Sequence, residues 1–169
     1  MRPSGEVSLM VHIVGVADMK TASAPGDVIK THALGSCLGI TIHDPVANVG
    51  GMLHVMLPDS GIDADRAMEA PLMFVDTGLP RLFHECYRQG ASKERLEVKV
   101  AGGACASGEA DNDFFQIGKR NFLMLRKLLW KNGVLLKAHD VGGSVSRTMS
   151  IEIGTGVVAV KSGGNETHL

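Results

Sequence analysis

The chain has 169 residues, of which 44% are hydrophobic, and its 17 basic and 18 acidic residues leave a net charge of −1. This length suits one domain with a core of its own, and the near-neutral charge excludes a global field that attracts nucleic acid or anionic lipid. No apolar run approaches the roughly 20 residues that span a bilayer. We therefore expect a single domain over residues 1–169, with a mobile polar tail at about 162–169, that binds no nucleic acid and does not insert into membranes.

Hydrophobic periodicity predicts short strands and two substantial helices. In chain order, strands are predicted at residues 9–16, 28–31, 38–42, 52–57, 96–100, 134–141, 148–153 and 157–161, and helices at 71–89 and 117–131. Residues 17–26 and 58–65 are predicted loops. Gly78 and Pro80 predict a kink or break near residues 77–79, because proline costs about 3 kcal/mol inside a helix. This mixed order of strands and helices favours an α+β layered domain.

A predicted hairpin brings one cysteine and one histidine together. Cys37 stands at the start of its first strand, and His54 lies in the returning strand. Alternation places His54 on the face opposite Leu53 and Val55. A thiol acts as a nucleophile in its thiolate form and needs a nearby base, so Cys37 and His54 are candidate nucleophile and base. This pairing predicts that the imidazole raises the thiolate fraction of Cys37 at neutral pH.

The other two cysteines fit packing roles. Cys86 falls on the apolar face of the first helix, and Cys105 follows the pair Gly102-Gly103. Three cysteines without a Cys-x-x-Cys pair favour a reducing cytoplasm over a disulfide framework. The histidines and cysteines lack zinc-ligand spacing, and the glycine pairs lack a phosphate-binding pattern, so no metal or cofactor is predicted.

The second helix carries a basic face that includes Arg120, Arg126 and Lys127. Two interpretations stay open. Charged helix faces are ordinarily solvated surfaces, and a basic face also suits docking of an acidic protein partner.

Several sequence blocks run along most of the chain in a fixed order. They are Leu34-Gly35-Ser36-Cys37, Asp44-Pro45-Val46-Ala47, the block from Gly51 to Ser60, Gly102-Gly103-Ala104, Ile117-Gly118-Lys119-Arg120-Asn121, Asp140-Val141-Gly142-Gly143 and Thr155-Gly156. In these blocks and their order the chain resembles the CheD family of chemoreceptor glutamine deamidases.

The resemblance implies a fold, a reaction and partners. The fold is a layered mixed β-sandwich core with flanking helices, similar to cysteine deamidases of the cytotoxic necrotizing factor type. The reaction is hydrolysis of selected glutamine side chains to glutamate on methyl-accepting chemotaxis receptors, without a cofactor. The receptor's cytoplasmic helical region is the substrate, and a CheC-like phosphatase is a further partner that imitates it. The protein is then cytoplasmic.

The resemblance also implies a catalytic triad. A threonine six positions before the cysteine completes the triad in that family, and Thr31 holds this position relative to Cys37. Thr31 would orient the imidazole of His54. Backbone N–H groups of the turn at Gly35 and Ser36 are the candidate donors to the oxyanion of the reaction.

Two other classes of function stay open. The chain would serve as a non-catalytic regulator if it bound receptors or CheC without turnover. It would serve as a redox sensor if Cys37 met a resolving cysteine. Release of ammonia from a receptor fragment separates the deamidase from both.

Overall fold

The structure, a computed structural model, describes residues 9–105 and 115–169, and within them ten strands and three α-helices form an α+β fold. The strands are β1 (Val11–Val14), β2 (Asp18–Ala22), β3 (Val28–Leu34), β4 (Leu38–Asp44), β5 (Val49–Val55), β6 (Glu97–Gly102), β7 (Leu136–Val141), β8 (Arg147–Glu152), β9 (Val158–Ser162) and β10 (Asn165–His168). The helices are α1 (Ala64–Glu69), α2 (Val75–Arg88) and α3 (Ile117–Lys131).

The strands form two five-stranded sheets. The outer sheet has the order β1-β3-β8-β9-β10, and the central sheet has the order β2-β5-β4-β6-β7. Each sheet is mixed, because β1 pairs with β3 and β6 pairs with β7 in parallel while the remaining neighbours are antiparallel. The predicted α+β class is therefore confirmed.

Two apolar layers hold these elements together. Side chains of both sheets form the inter-sheet core, which comprises Val14, Ala22, Ile29, Leu34, Met52, Ala101, Met149, Ile151, Ile153, Val158 and Val160. The other face of the central sheet packs against α2 and α3, and the buried residues there include Leu38, Ile40, Leu53, Val55, Leu79, Leu82, Val100, Leu125 and Leu129. Burial of apolar surface at about 25 cal/mol per Å² favours this three-layer arrangement. The central sheet is consequently buried on both faces.

The hairpin and the second helix are confirmed. β4 pairs antiparallel with β5, as predicted, and α3 runs over residues 117–131. Gly133, with a φ of 68°, follows the end of α3 in the left-handed region that glycine adopts readily.

Three elements lie where loops or a tail were predicted. β2 and β10 are edge strands whose residues are mostly partly or fully exposed, so they lack the alternation that reveals a strand. β10 occupies part of the predicted mobile tail and is held by backbone pairing to β9. α1 begins in the predicted loop of residues 58–65, where the Asp63 carboxylate accepts a hydrogen bond from Arg66 N–H at 3.0 Å and caps the helix.

The prediction for the first helix was wrong in one detail. The break does not fall at residues 77–79 but earlier, because Pro71–Met73 form a 3-10 turn and Phe74 is extended. α2 then continues through Pro80 without interruption. Pro80 lies inside α2, past its first turn, and burial of the helix's apolar face offsets the single backbone hydrogen bond that the proline removes.

A buried carboxylate fastens the β4–β5 turn. Asp44 is fully buried and accepts hydrogen bonds from the backbone N–H groups of Val46, Ala47 and Ser92 at 2.8 to 3.0 Å. The Arg95 guanidinium binds both carboxylate oxygens at 2.9 to 3.1 Å. Burial by itself raises the pKa of Asp44, but Arg95 and the three N–H donors outweigh it and hold the pKa well below its usual range.

A lowered pKa makes Asp44 stabilising wherever it is ionised in the unfolded chain, which is above about pH 4. We expect Arg95→Met to lower the free energy of unfolding at pH 7 by about 2 kcal/mol, the size of a charged hydrogen bond. The deficit should shrink as the pH falls below about 4, because protonation then removes the stabilisation from the parental protein as well. Urea unfolding between pH 3 and pH 7 measures both effects.

Lys137→Met is the matched control. It breaks the exposed pair of Lys137 and Glu97, 2.7 Å apart, and should cost less than about 1 kcal/mol. Equal losses for the two variants, or a deficit for Arg95→Met that does not change with pH, would contradict the role of Asp44.

Candidate active site

A hydrogen bond between the two sheets connects two of the predicted site residues. Thr31 lies on β3 of the outer sheet and His54 on β5 of the central sheet. The Thr31 hydroxyl and His54 Nδ1 are 2.8 Å apart, and both side chains are buried. His54 faces the inter-sheet core while Leu53 and Val55 face the helices, as the alternation predicted.

The hydrogen-bond pattern sets the tautomer of His54. The Thr31 hydroxyl donates its one hydrogen to Val14 O at 2.8 Å, so it accepts from Nδ1. Nδ1 therefore carries the proton, and Nε2 presents a free lone pair. Burial lowers the pKa of His54, which keeps the imidazole neutral at neutral pH.

His54 Nε2 is one of four buried side-chain atoms without a hydrogen-bond partner among the described residues; the others are His43 Nδ1, Asn121 Oδ1 and Arg147 Nε. Buried polar atoms are rarely left unpaired, and a catalytic role is one of the explanations for such an exception. Nε2 is thus an unprotonated nitrogen that can accept a proton, while Thr31 binds the other ring nitrogen, Nδ1.

Cys37 lies on the same side of the hairpin as this base. Gly39 is the β4 partner of His54, and Cys37 is two residues before Gly39, so the two side chains occupy diagonal positions. Cys37 is partly buried and packs against the inter-sheet core. Gly39 places no side chain in that space, where a Cβ would meet Met149 and Leu34. The structure brings Cys37 and His54 together on one face, although no hydrogen bond joins Sγ to Nε2.

The protonation state of Cys37 differs from the sequence-based expectation. Burial raises the pKa of the Cys37 thiol, and its own backbone N–H acts in the opposite direction without outweighing burial. A neutral thiol therefore stands beside a neutral imidazole in this structure. The geometry suits a base that takes the proton during the reaction and not a preformed thiolate.

Each carbonyl of the loop before β4 is held by a different partner. Gly35 O accepts from Ala104 N–H at 2.8 Å, and Cys37 O accepts from Gly103 N–H at 2.9 Å. Ser36 O accepts from the side-chain amide of Asn121 at 3.0 Å. The loop of the candidate nucleophile is thereby fixed at three consecutive residues.

The N–H groups of this loop, those of Gly35, Ser36 and Cys37, differ in whether a backbone carbonyl accepts from them. Gly35 N–H donates to Ala33 O at 3.0 Å, so it is not free to bind an oxyanion in this structure. Within the described residues, no carbonyl accepts from the N–H of Ser36 or of Cys37. These two N–H groups are the remaining candidates for an oxyanion hole.

Two glycines are required by close backbone contact at this loop. Gly102 has a φ of 118°, and a Cβ there would collide with the Cys37 carbonyl. A Cβ on Gly118, in the first turn of α3, would collide with the Gly103 carbonyl. The pair Gly102-Gly103 therefore lies against the loop that carries Cys37.

Asn121 and Arg147 contact the loop and its neighbours in a way that the sequence does not predict. Asn121, fully buried on α3, also donates to Met56 O at 3.0 Å. Arg147 reaches from the outer sheet to Gly102 O at 3.2 Å and pairs with Asp140. The one feature of the sequence that could have indicated the role of Asn121 is its position on the apolar face of α3, one turn before Leu125.

The remaining predicted residues lie apart from the base. Cys86 is fully buried in the core under α2, as expected for a packing role. Cys105 donates its N–H to Gly143 O at 2.8 Å beside the nucleophile loop. Arg120, Arg126 and Lys127 are exposed on α3.

Comparison with known proteins identifies the family. A family model for CheD, described as chemotactic sensory transduction, matches residues 56–162. A protein of Syntrophus aciditrophicus named probable chemoreceptor glutamine deamidase CheD 1 is 49% identical over 90% of this chain and 94% of its own. A protein of Solibacter usitatus named probable chemoreceptor glutamine deamidase CheD is 50% identical over 93% of this chain and 92% of its own. A protein of Thermococcus kodakarensis with the same name is 39% identical over 90% of this chain and 92% of its own.

The chain belongs to the CheD family. The segment matched by the family model begins two residues after His54, so it includes α3 but neither Cys37 nor Thr31. The crystal structure of a Neisseria meningitidis protein of the family DUF152 is 9% identical, with a TM-score of 0.48 over 80% of this chain and 63% of that one, a likeness too distant to carry an argument.

Two features are absent from residues 9–105 and 115–169. No helix in these ranges is long and apolar enough to cross a membrane. No group of three or more His, Cys, Asp or Glu side chains there is arranged to hold a metal ion.

The raised pKa of Cys37 predicts how the thiol reacts with iodoacetamide. The alkylation rate of Cys37 should rise with pH toward an apparent pKa above the roughly 8.5 of an ordinary thiol. Cys86 should stay unlabelled, because burial raises its pKa to about 12. Mass spectrometry of the cysteine peptides measures both rates, and unfolding in urea should make the two cysteines react alike. A Cys37 rate that reaches its plateau below pH 8 would instead indicate a thiolate–imidazolium pair.

Proposed function

We propose that the protein deamidates glutamine side chains of methyl-accepting chemotaxis receptors to glutamate, with Cys37 as nucleophile and His54 as base. The observation that carries this proposal is the buried Nε2 of His54, which has no hydrogen-bond partner within residues 9–105 and 115–169; Thr31 holds the ring on the hairpin face that Cys37 shares. The names of the relatives supply the substrate class, because they specify chemoreceptor glutamine.

In the first half of the reaction, His54 Nε2 takes the proton of the Cys37 thiol as the sulfur attacks the side-chain amide carbon. A carbon–sulfur bond forms, and the carbonyl oxygen becomes an oxyanion. The N–H groups of Ser36 and Cys37 are the donors that would bind it, and one such donor is worth about 3 kcal/mol in other enzymes.

In the second half, protonated His54 gives its proton to the amide nitrogen, and ammonia leaves as the carbon–nitrogen bond breaks. The thioester on Cys37 is then attacked by water, which loses a proton to neutral His54. Collapse of this second tetrahedral species returns that proton to the sulfur and yields glutamate and the free thiol. The cycle uses one water per ammonia and needs no metal or organic cofactor.

Thr31 is the orienting member of the proposed triad. Its hydroxyl accepts from Nδ1–H and donates to Val14 O, so a chain of two hydrogen bonds ends on a backbone carbonyl. These two hydrogen bonds keep the proton on Nδ1 and leave the lone pair of Nε2 available to accept the proton of the thiol. When Nε2 becomes protonated, the same two dipoles stabilise the imidazolium.

The proposal includes the setting of the reaction. The substrate is the cytoplasmic helical region of the receptor, so the enzyme acts in the cytoplasm, and a CheC-like phosphatase that imitates this region would compete for Cys37. The likeness to deamidases of the cytotoxic necrotizing factor type belongs to the same proposal, because it rests on the shared use of a cysteine and a histidine.

Cys37→Ala should abolish ammonia release from a receptor cytoplasmic fragment, because it removes the nucleophile. The fold should survive, since Cys37 is only partly buried at the start of β4. Cys86→Ala and Cys105→Ala are the matched controls and should keep turnover within about threefold of the parental rate. A coupled ammonia assay with circular dichroism of each variant gives the result.

Two outcomes would reject this assignment. Parental-like turnover in Cys37→Ala, or a dead Cys105→Ala, would show that Cys37 is not the nucleophile. A parental protein that binds the receptor fragment and releases no ammonia would favour the non-catalytic regulator.

The exposed face of α3 is the proposed docking surface. It carries Arg120, Arg126 and Lys127, and α3 contains no Asp or Glu. Leu123, 50% exposed, and Trp130, 84% exposed, lie on the same face. Tryptophan and arginine are enriched among the residues that contribute most to protein interfaces. The face thus suits an acidic helical partner with some apolar side chains, such as a receptor bundle.

Reversal of Arg126 and Lys127 to Glu should weaken binding of the receptor fragment at low salt by roughly tenfold or more, with a smaller effect at high salt. Alkylation of Cys37 should not change. Reversal of Lys20 and Lys161, exposed lysines on β2 and β9, changes the net charge equally and should leave binding close to the parental value. Calorimetric titration at two salt concentrations measures the binding, and binding that ignores both charge reversal and salt would eliminate this docking surface.

A further inference from the structure

The buried carboxamide of Asn121 links the nucleophile loop to the end of the strand that bears the base. We propose that Asn121 is a positioning residue for deamidation, which holds the Ser36 carbonyl and thereby aims the Cys37 N–H at the oxyanion. The inference rests on the proposed function, because it concerns a step of that reaction.

The amide uses both of its hydrogens on this task. Nδ2 donates to Ser36 O and to Met56 O, each at 3.0 Å, and the side chain is fully buried. The reverse orientation of the amide would place Oδ1 against two carbonyl oxygens, which repel it. The observed orientation is therefore the one that the surrounding atoms allow.

The planarity of the peptide bond carries the effect to the catalytic loop. Ser36 C=O and Cys37 N–H belong to one peptide unit, and in a trans peptide they point in opposite directions. A hydrogen bond that pulls the carbonyl toward α3 therefore turns the N–H away from α3. The flanking carbonyls of Gly35 and Cys37 are held as well, so the loop has little freedom to turn back.

The second hydrogen bond ties the same amide to the base. Met56 follows β5 directly, two residues after His54. One side chain thus fixes both the peptide unit of the nucleophile and the strand end that carries the imidazole. A change at Asn121 would shift the donor and the base relative to each other.

Stability alone does not account for a carboxamide at this position. Asn121 Oδ1 is buried and has no hydrogen-bond partner within the described residues. An unpaired buried acceptor is unfavourable. Its neighbours on the inner face of α3, Leu125 and Leu129, are apolar and carry no such penalty.

The test compares Asn121→Leu and Asn121→Asp with Leu125→Ala. Asn121→Leu removes both N–H donors with a side chain of similar size. Asn121→Asp keeps the shape of the side chain but places acceptor oxygens where the donors were. Leu125→Ala truncates a fully buried side chain one turn along the same helix and leaves the loop contacts in place. For each variant, kcat and KM for ammonia release, the melting temperature and the alkylation rate of Cys37 are measured.

Both Asn121 variants should lower kcat by about tenfold or more with little change in KM, since the lost interaction acts in the transition state. Alkylation of Cys37 by iodoacetamide forms no oxyanion, so its rate and pH profile should stay near the parental ones. Leu125→Ala should keep kcat within about threefold of the parental value, even if its melting temperature falls as much as that of the Asn121 variants.

Three outcomes would overturn the proposal. The first is a kcat in the Asn121 variants no lower than in Leu125→Ala, and the second is an alkylation rate that falls in step with kcat. The third is loss of the fold in both Asn121 variants, which would make Asn121 a residue of the fold. If the parental protein releases no ammonia while it binds receptor, the proposed function itself fails; parental turnover with unaffected Asn121 variants rejects only this inference.

Discussion

The site depends on one hydrogen bond that joins two sheets. Thr31 and His54 belong to different sheets and meet in the core between them, so the orientation of the imidazole follows from how the sheets stack. Because the Thr31 hydroxyl also donates to Val14 O, the pair sets the tautomer without a carboxylate. A neutral hydroxyl stabilises an imidazolium less than an aspartate would, which suits a base that remains neutral until the thiol gives up its proton.

The local part of the site follows from the sequence. A period of two, a turn at Asp44-Pro45 and a separation of 17 positions between Cys37 and His54 are enough to predict the hairpin and the face that His54 occupies, and the structure has both. The helix at residues 117–131 is equally predictable, since its apolar period is regular and a glycine follows its end. These features depend on neighbours in the chain or across one turn.

The parts that sequence reasoning missed depend on distant contacts or on backbone pairing alone. β2 and β10 form at sheet edges, where the partner strand supplies the hydrogen bonds and little side-chain burial is needed. The contact of Thr31 with His54 requires the two sheets to stack. Local sequence pattern therefore predicts only that Thr31 is a β-branched residue in a strand. Asn121 lies 85 positions from Ser36, and periodicity assigns it to the buried face of α3 without naming its partner.

The resting state of the site has a consequence for selectivity. Burial raises the pKa of Cys37 and lowers that of His54, so the neutral form of each is favoured. A thiol in this state reacts slowly with oxidants and alkylating agents, because the thiolate is the reactive species. In the proposed reaction, proton transfer would become favourable only when a carbonyl accepts the sulfur's electrons and fixed N–H groups receive the resulting charge. Under the proposed mechanism, the loop whose three carbonyls are each held would couple activation of Cys37 to the presence of an amide substrate.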